Sequence, residues 1–482
     1  MKQQRYRIRL LAMLLILCFL GLIVWGAWSV THYGNRWFSH AGNVRLNALK
    51  KEVTEGDILD RNGILLARTD GNGVRVFRDS AADRASLVHI LGDRQRQIAN
   101  TVESLQAGYL YGYQSSLPDA IYRLLRRTQR LGNNVTLTVD ADLCTESAAA
   151  FARHAETGNR SGAAVVMNYR TGEILALISL PSFDPDNAAE DIIGSLDQPY
   201  WNRALQAQVP PGSTFKIITA AAMLSRDSGS LTESFSCSGS LPVSDAFTVH
   251  DFSGASHGNL TLSQAFMRSC NVFFASQALK LGSAAMQTAA ESFGFNRNFL
   301  FRDLVVSNSV YPRGNQTPES LAASGYGQSA VTLSPLHLCL ITAAAANDGI
   351  MMEPSLVRSV RSASGAGVLS WSPVRLLTAC EAPVARMLQQ LMKDAVQGGG
   401  SGSAAAVTTM DIRGKTGTSE STDHGEKINY GWFTGYNAQA DLPIAVTVLV
   451  EDIPDGETGG TTAALVVKDI FTYIRNHPDR VQ

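Results

Sequence analysis

Three short stretches carry side chains whose types and spacing could do chemistry together. The first is Val209-Pro210-Pro211-Gly212-Ser213-Thr214-Phe215-Lys216-Ile217-Ile218. Two prolines and a glycine stop a helix from extending backwards and the residues after them favour one, so a helix is expected to begin at or beside Ser213. Lys216 then falls on the same face three residues on, and its amine reaches the Ser213 oxygen. A serine hydroxyl is a weak nucleophile until a neighbouring base takes its proton during attack. Lysine is that base only when neutral, which requires burial and nearby positive charge to lower its pKa by about 3 units, or about 4 kcal/mol. The apolar flank Phe215, Ile217 and Ile218 fits such burial. The plain alternative is a serine that caps the helix and a lysine in solvent.

The second stretch is Ser269-Cys270-Asn271. Thr261 and Gln264 have capping-box spacing and start a short helix that should end near Arg268, with another beginning around Asn271. The three residues occupy the corner between them, from which a hydroxyl and an amide can face the first helix; Cys270 reads as a small packing residue. The third stretch is Arg413-Gly414-Lys415-Thr416-Gly417-Thr418-Ser419, followed by strand-like runs at 430–436 and 443–450. Its glycines permit close backbone approach. An extended peptide could pair with the segment 415–418 while Lys415, Thr416 and Thr418 meet its carboxylate. Taken singly, the three are a helix start, a helix corner and a turn.

The elements that must position them are legible around them. Runs 163–168 and 173–180, joined across Tyr169-Arg170-Thr171-Gly172, read as a hairpin in the core of a sheet, and 461–474 as a closing amphipathic helix. Upstream, 57–66 reads as two short strands around Asn62-Gly63, 95–105 and 118–131 as helices, 135–139 as a strand and 141–154 as a helix. No chemical group stands out there, and the region reads as a spacer that docks partners. The Gly/Ser/Ala run 397–406 reads as a flexible loop.

At the front, Lys2, Arg5, Arg7 and Arg9 precede an uncharged run over 10–28, long enough for the roughly 20 residues of helix that a bilayer core requires. Trp25, Trp28 and Tyr33 suit the interface of a retained anchor better than a cleaved signal peptide. The basic end should stay in the cytoplasm, leaving the rest outside. The 482 residues carry 41 basic and 42 acidic side chains, a net charge of -1 that gives nucleic acid no basic surface. Of six cysteines, Cys18 lies in the apolar run; the spacing of Cys144, Cys237, Cys270, Cys339 and Cys380 fits neither a disulfide framework nor a metal-ligand pattern, and leaves room for one bridge. His250 and His257 flank a Ser/Gly-rich loop and read as solvated, so no metal is expected.

Ser-x-x-Lys, Ser-x-Asn and Lys-Thr-Gly each occur once, in that order, as in penicillin-binding proteins and, with a Ser-Asp-Asn variant, class A β-lactamases. With Asn202-Arg203-Ala204, Leu180-Pro181-Ser182-Phe183-Asp184-Pro185, Gly327-Gln328 ahead of Ser334-Pro335-Leu336, and Trp432-Phe433-Thr434-Gly435-Tyr436, the chain resembles a penicillin-binding protein of the short monofunctional class B type over about residues 133–475. The front part adds Gly56-Asp57-Ile58-Leu59-Asp60-Arg61-Asn62-Gly63, with Glu55 where the family usually has arginine. The resemblance implies an α+β fold: a transpeptidase/serine β-lactamase-like domain, with a central antiparallel sheet packed by helices and an all-helical subdomain, behind an N-terminal mixed α/β pedestal and a transmembrane anchor. The expected division is a cytoplasmic tail 1–9, an anchor 10–30, a pedestal 31–155 and a transpeptidase domain 156–482.

It also implies roles. Ser213 attacks the carbonyl between the two D-alanines of a peptidoglycan stem peptide, and Lys216 takes its proton. Ser269 passes a proton to the leaving amine with Lys415, and Asn271 holds the donor amide. Thr416, Gly417 and Thr418 bind the substrate, and the backbone N–H groups of Ser213 and Thr418 form the oxyanion hole. An amine from a neighbouring strand then takes the acyl group, or water does in a carboxypeptidase side reaction; no cofactor is required. β-Lactams would acylate Ser213. Residues 31–155 are too few for a glycosyltransferase domain and lack its acidic motif, so the implied partner is a membrane glycan polymerase of the shape, elongation, division and sporulation group. A class D-like β-lactamase or β-lactam sensor also matches Ser213-Thr214-Phe215-Lys216 but usually has an aliphatic residue in the place of Asn271. A non-catalytic scaffold is the third reading.

Overall fold

The computed structural model describes residues 2–38, 53–94, 97–114, 131–154, 161–186, 198–397, 399–423 and 426–482. Helix α1 (Lys2–Phe38) contains the stretch Gln3–Ser29, with a mean hydropathy of 2.7, long and apolar enough to cross a membrane. Trp25 and Trp28 lie exposed near the end of that stretch, as interfacial anchors require; the side chains of 30–38, Tyr33 among them, are outside the described set.

A five-stranded antiparallel sheet forms the centre: β1 (Gly162–Asn168), β2 (Ile174–Leu180), β3 (Ile412–Asp423), β4 (Glu426–Asn437) and β5 (Ile444–Val450), in the spatial order β3-β4-β5-β1-β2. All seven residues of β5 are buried, which is why its sequence shows no alternation and is apolar except for Thr447, whose hydroxyl meets that of Thr434 at 2.6 Å. Around the sheet lie α2 (Lys216–Arg226), α3 (Leu262–Met267), α4 (Asn271–Leu281), α5 (Pro335–Ala346), α6 (Ala382–Gln397) and α7 (Ala463–Asn476). Helix α5 begins with proline after the cap Ser334, is buried on nearly every side, and packs on β1, β4 and β5. Helix α7 packs on β4 and β5. Helices α2, α3 and α4, with Ser283–Ser292 and Pro318–Ser324, make the helical part that the resemblance implies, but it is not all-helical: the short strands 235–237, 240–244, 247–250 and 258–260 pack on α3, α4 and Pro318–Ser324. Thr261 and Gln264 form the expected capping box at the start of α3.

The front part departs from the expected cut at residue 155 in two ways. Its six-stranded sheet has the order 367–370, 357–361, 134–137, 58–59, 65–69, 75–77, so two strands from the later chain complete it. The helix Ala141–Arg153 packs on β2 and α7, burying Leu143, Cys144, Ala150 and Phe151, and Arg153 meets Asp469 at 2.7 Å. Sequence order hides both, because strand 134–137 pairs with the far-off 357–361 and Arg153 meets Asp469 near the other end of the sequence.

The 57–66 hairpin is present, with Leu59 opposite Leu65. Asp60 accepts the N–H groups of Asn62 and Ile64 at 2.8 Å each, and Gly63 takes φ +81°, the left-handed conformation a tight turn needs. Glu55 occupies a buried polar cluster with Tyr111 and with Arg75, which also pairs with Glu103 at 2.7 Å. Of the expected helix 95–105, residues 95 and 96 lie outside the described residues, and the rest holds only the single turn Val102–Leu105. The expected helix 118–131 lies outside them except for Leu131, which bridges to Thr54.

Candidate active site

The chain reaches Ser213 through Pro210-Pro211-Gly212. The Pro210 carbonyl accepts Ser419 Oγ at 2.6 Å and Trp432 Nε1 at 3.0 Å, and Gly212 N–H donates to the Gly327 carbonyl at 2.9 Å. Gly212 has φ +53° and lies so close to the Thr418 carbonyl that a Cβ would strike it. The backbone of residue 213 is thereby fixed beside strand β3. Residues Gly212–Phe215 form a 3-10 turn and the α-helix proper starts at Lys216, later than the sequence suggested. In a 3-10 turn side chains three apart eclipse one another, so Ser213 and Lys216 stand in line. Their Oγ and Nζ atoms are 2.9 Å apart. Phe215, the last residue of the turn, is buried and stacked on Tyr311 with ring centroids 5.6 Å apart.

Ser269 lies between α3 and α4 with φ +59°, an uncommon conformation for a side chain with Cβ. This turn aims its hydroxyl at both lysines: 3.1 Å from Lys216 Nζ and 2.9 Å from Lys415 Nζ. Lys216 Nζ also lies 2.6 Å from the Ser269 carbonyl and 2.8 Å from Asn271 Oδ1. Asn271 Nδ2 donates to the His250 carbonyl at 3.2 Å, which fixes the orientation of the amide. Lys415 Nζ donates to the Thr416 carbonyl at 3.0 Å. The three stretches therefore converge, and Ser213, Lys216, Ser269, Asn271 and Lys415 form one hydrogen-bonded cluster.

Both lysines are fully buried, and the partners of Lys216 Nζ are all neutral oxygens. Burial pushes the Lys216 amine down to about 7, with the Cys270 and Asp251 groups opposing the shift. Lys415 is lowered well below the usual lysine range, first by burial and then by Lys216. A neutral Nζ has two N–H groups and one lone pair. It can donate to the Ser269 carbonyl and Asn271 Oδ1 and still accept the Ser213 proton, which an ammonium with three donors and no acceptor cannot do.

Thr416 and Thr418 flank Gly417 on β3. A Cβ at Gly417 would come within 2.7 Å of the Pro211 carbonyl oxygen. Thr418 Oγ1 accepts the Gly459 N–H at 3.2 Å, and Thr416 Oγ1 lies 2.8 Å from Ser401 Oγ. Ser401 comes from the Gly/Ser/Ala run whose composition reads as a flexible loop. That run is instead bonded into the site: Ser401 N–H donates to Met267 at 3.2 Å, Gly402 N–H to Ala395 at 3.1 Å, and Ser403–Ala405 is a 3-10 turn.

Two further expectations fail nearby. His250 is exposed as expected, but His257 is largely covered, with Nδ1 3.2 Å from Asp251 Oδ2. Cys237, Asp251, His257 and Cys270 also bring their ligand atoms within 4.8 Å of one another, against the expectation of no metal-ligand cluster. Asp251 was missed outright. It accepts the N–H groups of Asn271 and Val272 at the start of α4, and no local motif announces it.

An eclipsed serine–lysine pair at the foot of a helix, beside the outer strand of an antiparallel sheet, is the arrangement that an active-serine acyltransferase requires. Residues 162–472 match the family described as "Penicillin binding protein transpeptidase domain", and the chain belongs to it. It is 34% identical over 321 residues to "Peptidoglycan D,D-transpeptidase PbpA" of Mycolicibacterium smegmatis, covering 63% of this chain and 65% of that protein. To the protein of the same name from Mycobacterium tuberculosis it is 32% identical, covering 65% and 67%. The chain thus spans about two thirds of the length of these curated relatives. The solved structure of penicillin-binding protein A from M. tuberculosis as an imipenem acyl-enzyme complex superposes with a TM-score of 0.78 at 26% identity, over 88% of this chain and 99% of that one. The D,D-transpeptidase domain of a peptidoglycan glycosyltransferase from Eggerthella lenta gives 0.74 at 30% identity, over 88% and 99%.

Proposed function

We propose that the chain is a peptidoglycan D,D-transpeptidase, inactivated by β-lactams, that acts through an acyl ester on Ser213. The observation that carries this reading is the 2.9 Å contact between Ser213 Oγ and a buried lysine amine whose other partners are neutral. Oγ attacks the carbonyl between the two D-alanines as Nζ of Lys216 takes its proton. Negative charge grows on the carbonyl oxygen, which the N–H groups of Ser213 and Thr418 receive; losing one such donor typically costs about 2.7 to 4 kcal/mol of barrier. The tetrahedral centre collapses when the leaving D-alanine amine is protonated through Ser269, backed by Lys415. Asn271 holds the donor amide, Thr416, Gly417 and Thr418 receive the terminal carboxylate, and an acceptor amine then displaces Ser213 to form the cross-link.

In this reading residues 1–9 lie in the cytoplasm, 10–30 span the membrane, and the pedestal and transpeptidase parts face outward. The partner that supplies nascent strands is a membrane glycan polymerase of the shape, elongation, division and sporulation group. Full-length protein in detergent, given a stem peptide ending in D-alanyl-D-alanine and an amine acceptor, should release D-alanine and form the amide adduct, and Ser213→Ala should do neither. Release without adduct would make it a carboxypeptidase. A penicilloyl-Ser213 adduct that hydrolyses in seconds would make it a β-lactamase, a reading disfavoured by Asn271 on Lys216.

A further inference from the structure

We propose that Cys237, Asp251, His257 and Cys270 bind one zinc ion, and that this ion holds the Ser269–Asn271 corner in place. A tetrahedral zinc site has Zn–S near 2.3 Å and Zn–N or Zn–O near 2.0 Å, so its edges should measure about 3.8 Å between sulfurs, about 3.5 Å from sulfur to nitrogen or oxygen, and about 3.3 Å between nitrogen and oxygen. Five edges can be compared. Cys237 Sγ to Cys270 Sγ is 3.6 Å, and His257 Nδ1 to Asp251 Oδ2 is 3.2 Å. Cys237 Sγ lies 3.7 Å from His257 Nδ1 and 3.0 Å from Asp251 Oδ2, and Cys270 Sγ lies 3.3 Å from the same oxygen. Hydrogen bonding among these groups would satisfy two or three such contacts, but has no reason to close a tetrahedron.

The donor set selects the ion. Two thiolates with an imidazole and a carboxylate suit zinc and do not suit magnesium or calcium, which take oxygen ligands. Four protein ligands leave no open position, which is the form of a structural site.

The supporting bonds are in place. Asp251 uses Oδ2 toward the cluster and Oδ1 toward the N–H groups of Asn271 and Val272, and Cys270 Sγ accepts the Phe273 N–H at 3.2 Å. Cys237 pairs in register with Gly258, next to His257. Three elements distant in sequence thus meet at the atoms that anchor the start of α4, and Cys270 is itself the residue between Ser269 and Asn271. Binding releases the two thiol protons to solvent, and the ion then ties the corner to strand 235–237 and to the 251–257 loop.

The test uses the full-length protein, purified in detergent without chelators. Elemental analysis should find about one zinc per chain, falling to background in Cys237→Ser and in His257→Ala. Stripping the zinc with 1,10-phenanthroline should lower Tm and slow acylation by a fluorescent penicillin about tenfold, with zinc chloride restoring both and magnesium chloride restoring neither. No zinc after zinc chloride loading, zinc kept in both variants, or a Cys237–Cys270 disulfide in the native protein would each overturn the site. Unchanged Tm and acylation in the stripped protein would overturn its hold on the corner. The metal content and Tm do not depend on the transpeptidase reading; a zinc-loaded chain that penicillin never labels counts against that reading and not against the site.

Discussion

Lys216 and Lys415 share the Ser269 hydroxyl, so the proton content of the pair sets what the cluster can do. With the Lys216 amine pushed down to about 7, Ser213 is poorly activated below that pH and well activated above it. The second-order rate of penicillin acylation should therefore rise from pH 6 to pH 8 with a midpoint near 7 and then level off; stopped-flow fluorescence would show it, and a flat profile would contradict a lysine base. The same group affects stability. Its native pKa is below that of the unfolded chain, so between about 7 and the ordinary lysine value of 10.5 the unfolded chain binds more protons and stability increases with pH. Below 7 both states are protonated and the native state carries the full burial penalty, roughly 5 kcal/mol. Replacing Ser269 by alanine removes the hydroxyl between the lysines while leaving Ser213 and Lys216 in contact. Acylation should fall by about 10² to 10⁴, the usual worth of a positioned proton-transfer group, with Tm nearly unchanged. Ser213, Lys216 and Lys415 were legible because each announces itself within a few residues: a helix start, an i to i+3 spacing, glycines in a strand. Asp251, His257 and Ser401 were not, because their partners lie on other segments and their own neighbours carry no pattern.

At the scale of elements, backbone contact makes the site. Turn 212–215 and strand β3 approach closely because Gly212 and Gly417 have no Cβ where the other segment's carbonyl sits. Gly417→Ala puts a carbon within 2.7 Å of the Pro211 oxygen and 2.9 Å of Thr214 Cγ2, and these two residues are tied to each other by the Thr214 Oγ1 bond to the Pro211 carbonyl at 2.8 Å. Overpacking of this kind typically destabilises by about 1 to 3 kcal/mol. Because the strain falls between turn 212–215 and β3, the acylation rate should drop more than Tm suggests; a variant that folds, melts lower and still acylates at the parent rate would show that the approach is not needed. The hairpin β1–β2, helix α7 and the α3 capping box were readable from apolar runs, periodicity and cap residues. The 397–406 run was misread because small residues signal both a loose loop and a tight one, and only contact with Met267 and Ala395 decides between them.

For the whole molecule, the pedestal and the transpeptidase part are bound by shared secondary structure, and this fixes where the chain can be cut. Strand 357–361 pairs with 134–137 on one side and 367–370 on the other, while the helix Ala141–Arg153 covers β2 and α7. A chain starting at residue 156 loses the 134–137 strand, exposing the ladder edge of 357–361 to other chains. It also uncovers the surfaces that Leu143 and Phe151 bury, worth about 1.5 to 3 kcal/mol for each side chain. A chain starting at Val53 removes the apolar stretch of α1 and keeps both the pedestal sheet and the Ala141–Arg153 helix. The second should be soluble, melt in one transition and be labelled at Ser213 by fluorescent penicillin; the first should aggregate or label at least tenfold more slowly per folded molecule. Comparing soluble yield, calorimetric melting and labelling for the two chains tests this directly. Equal performance would mean that the transpeptidase part folds unaided and that the shared sheet serves only to orient it relative to the front part.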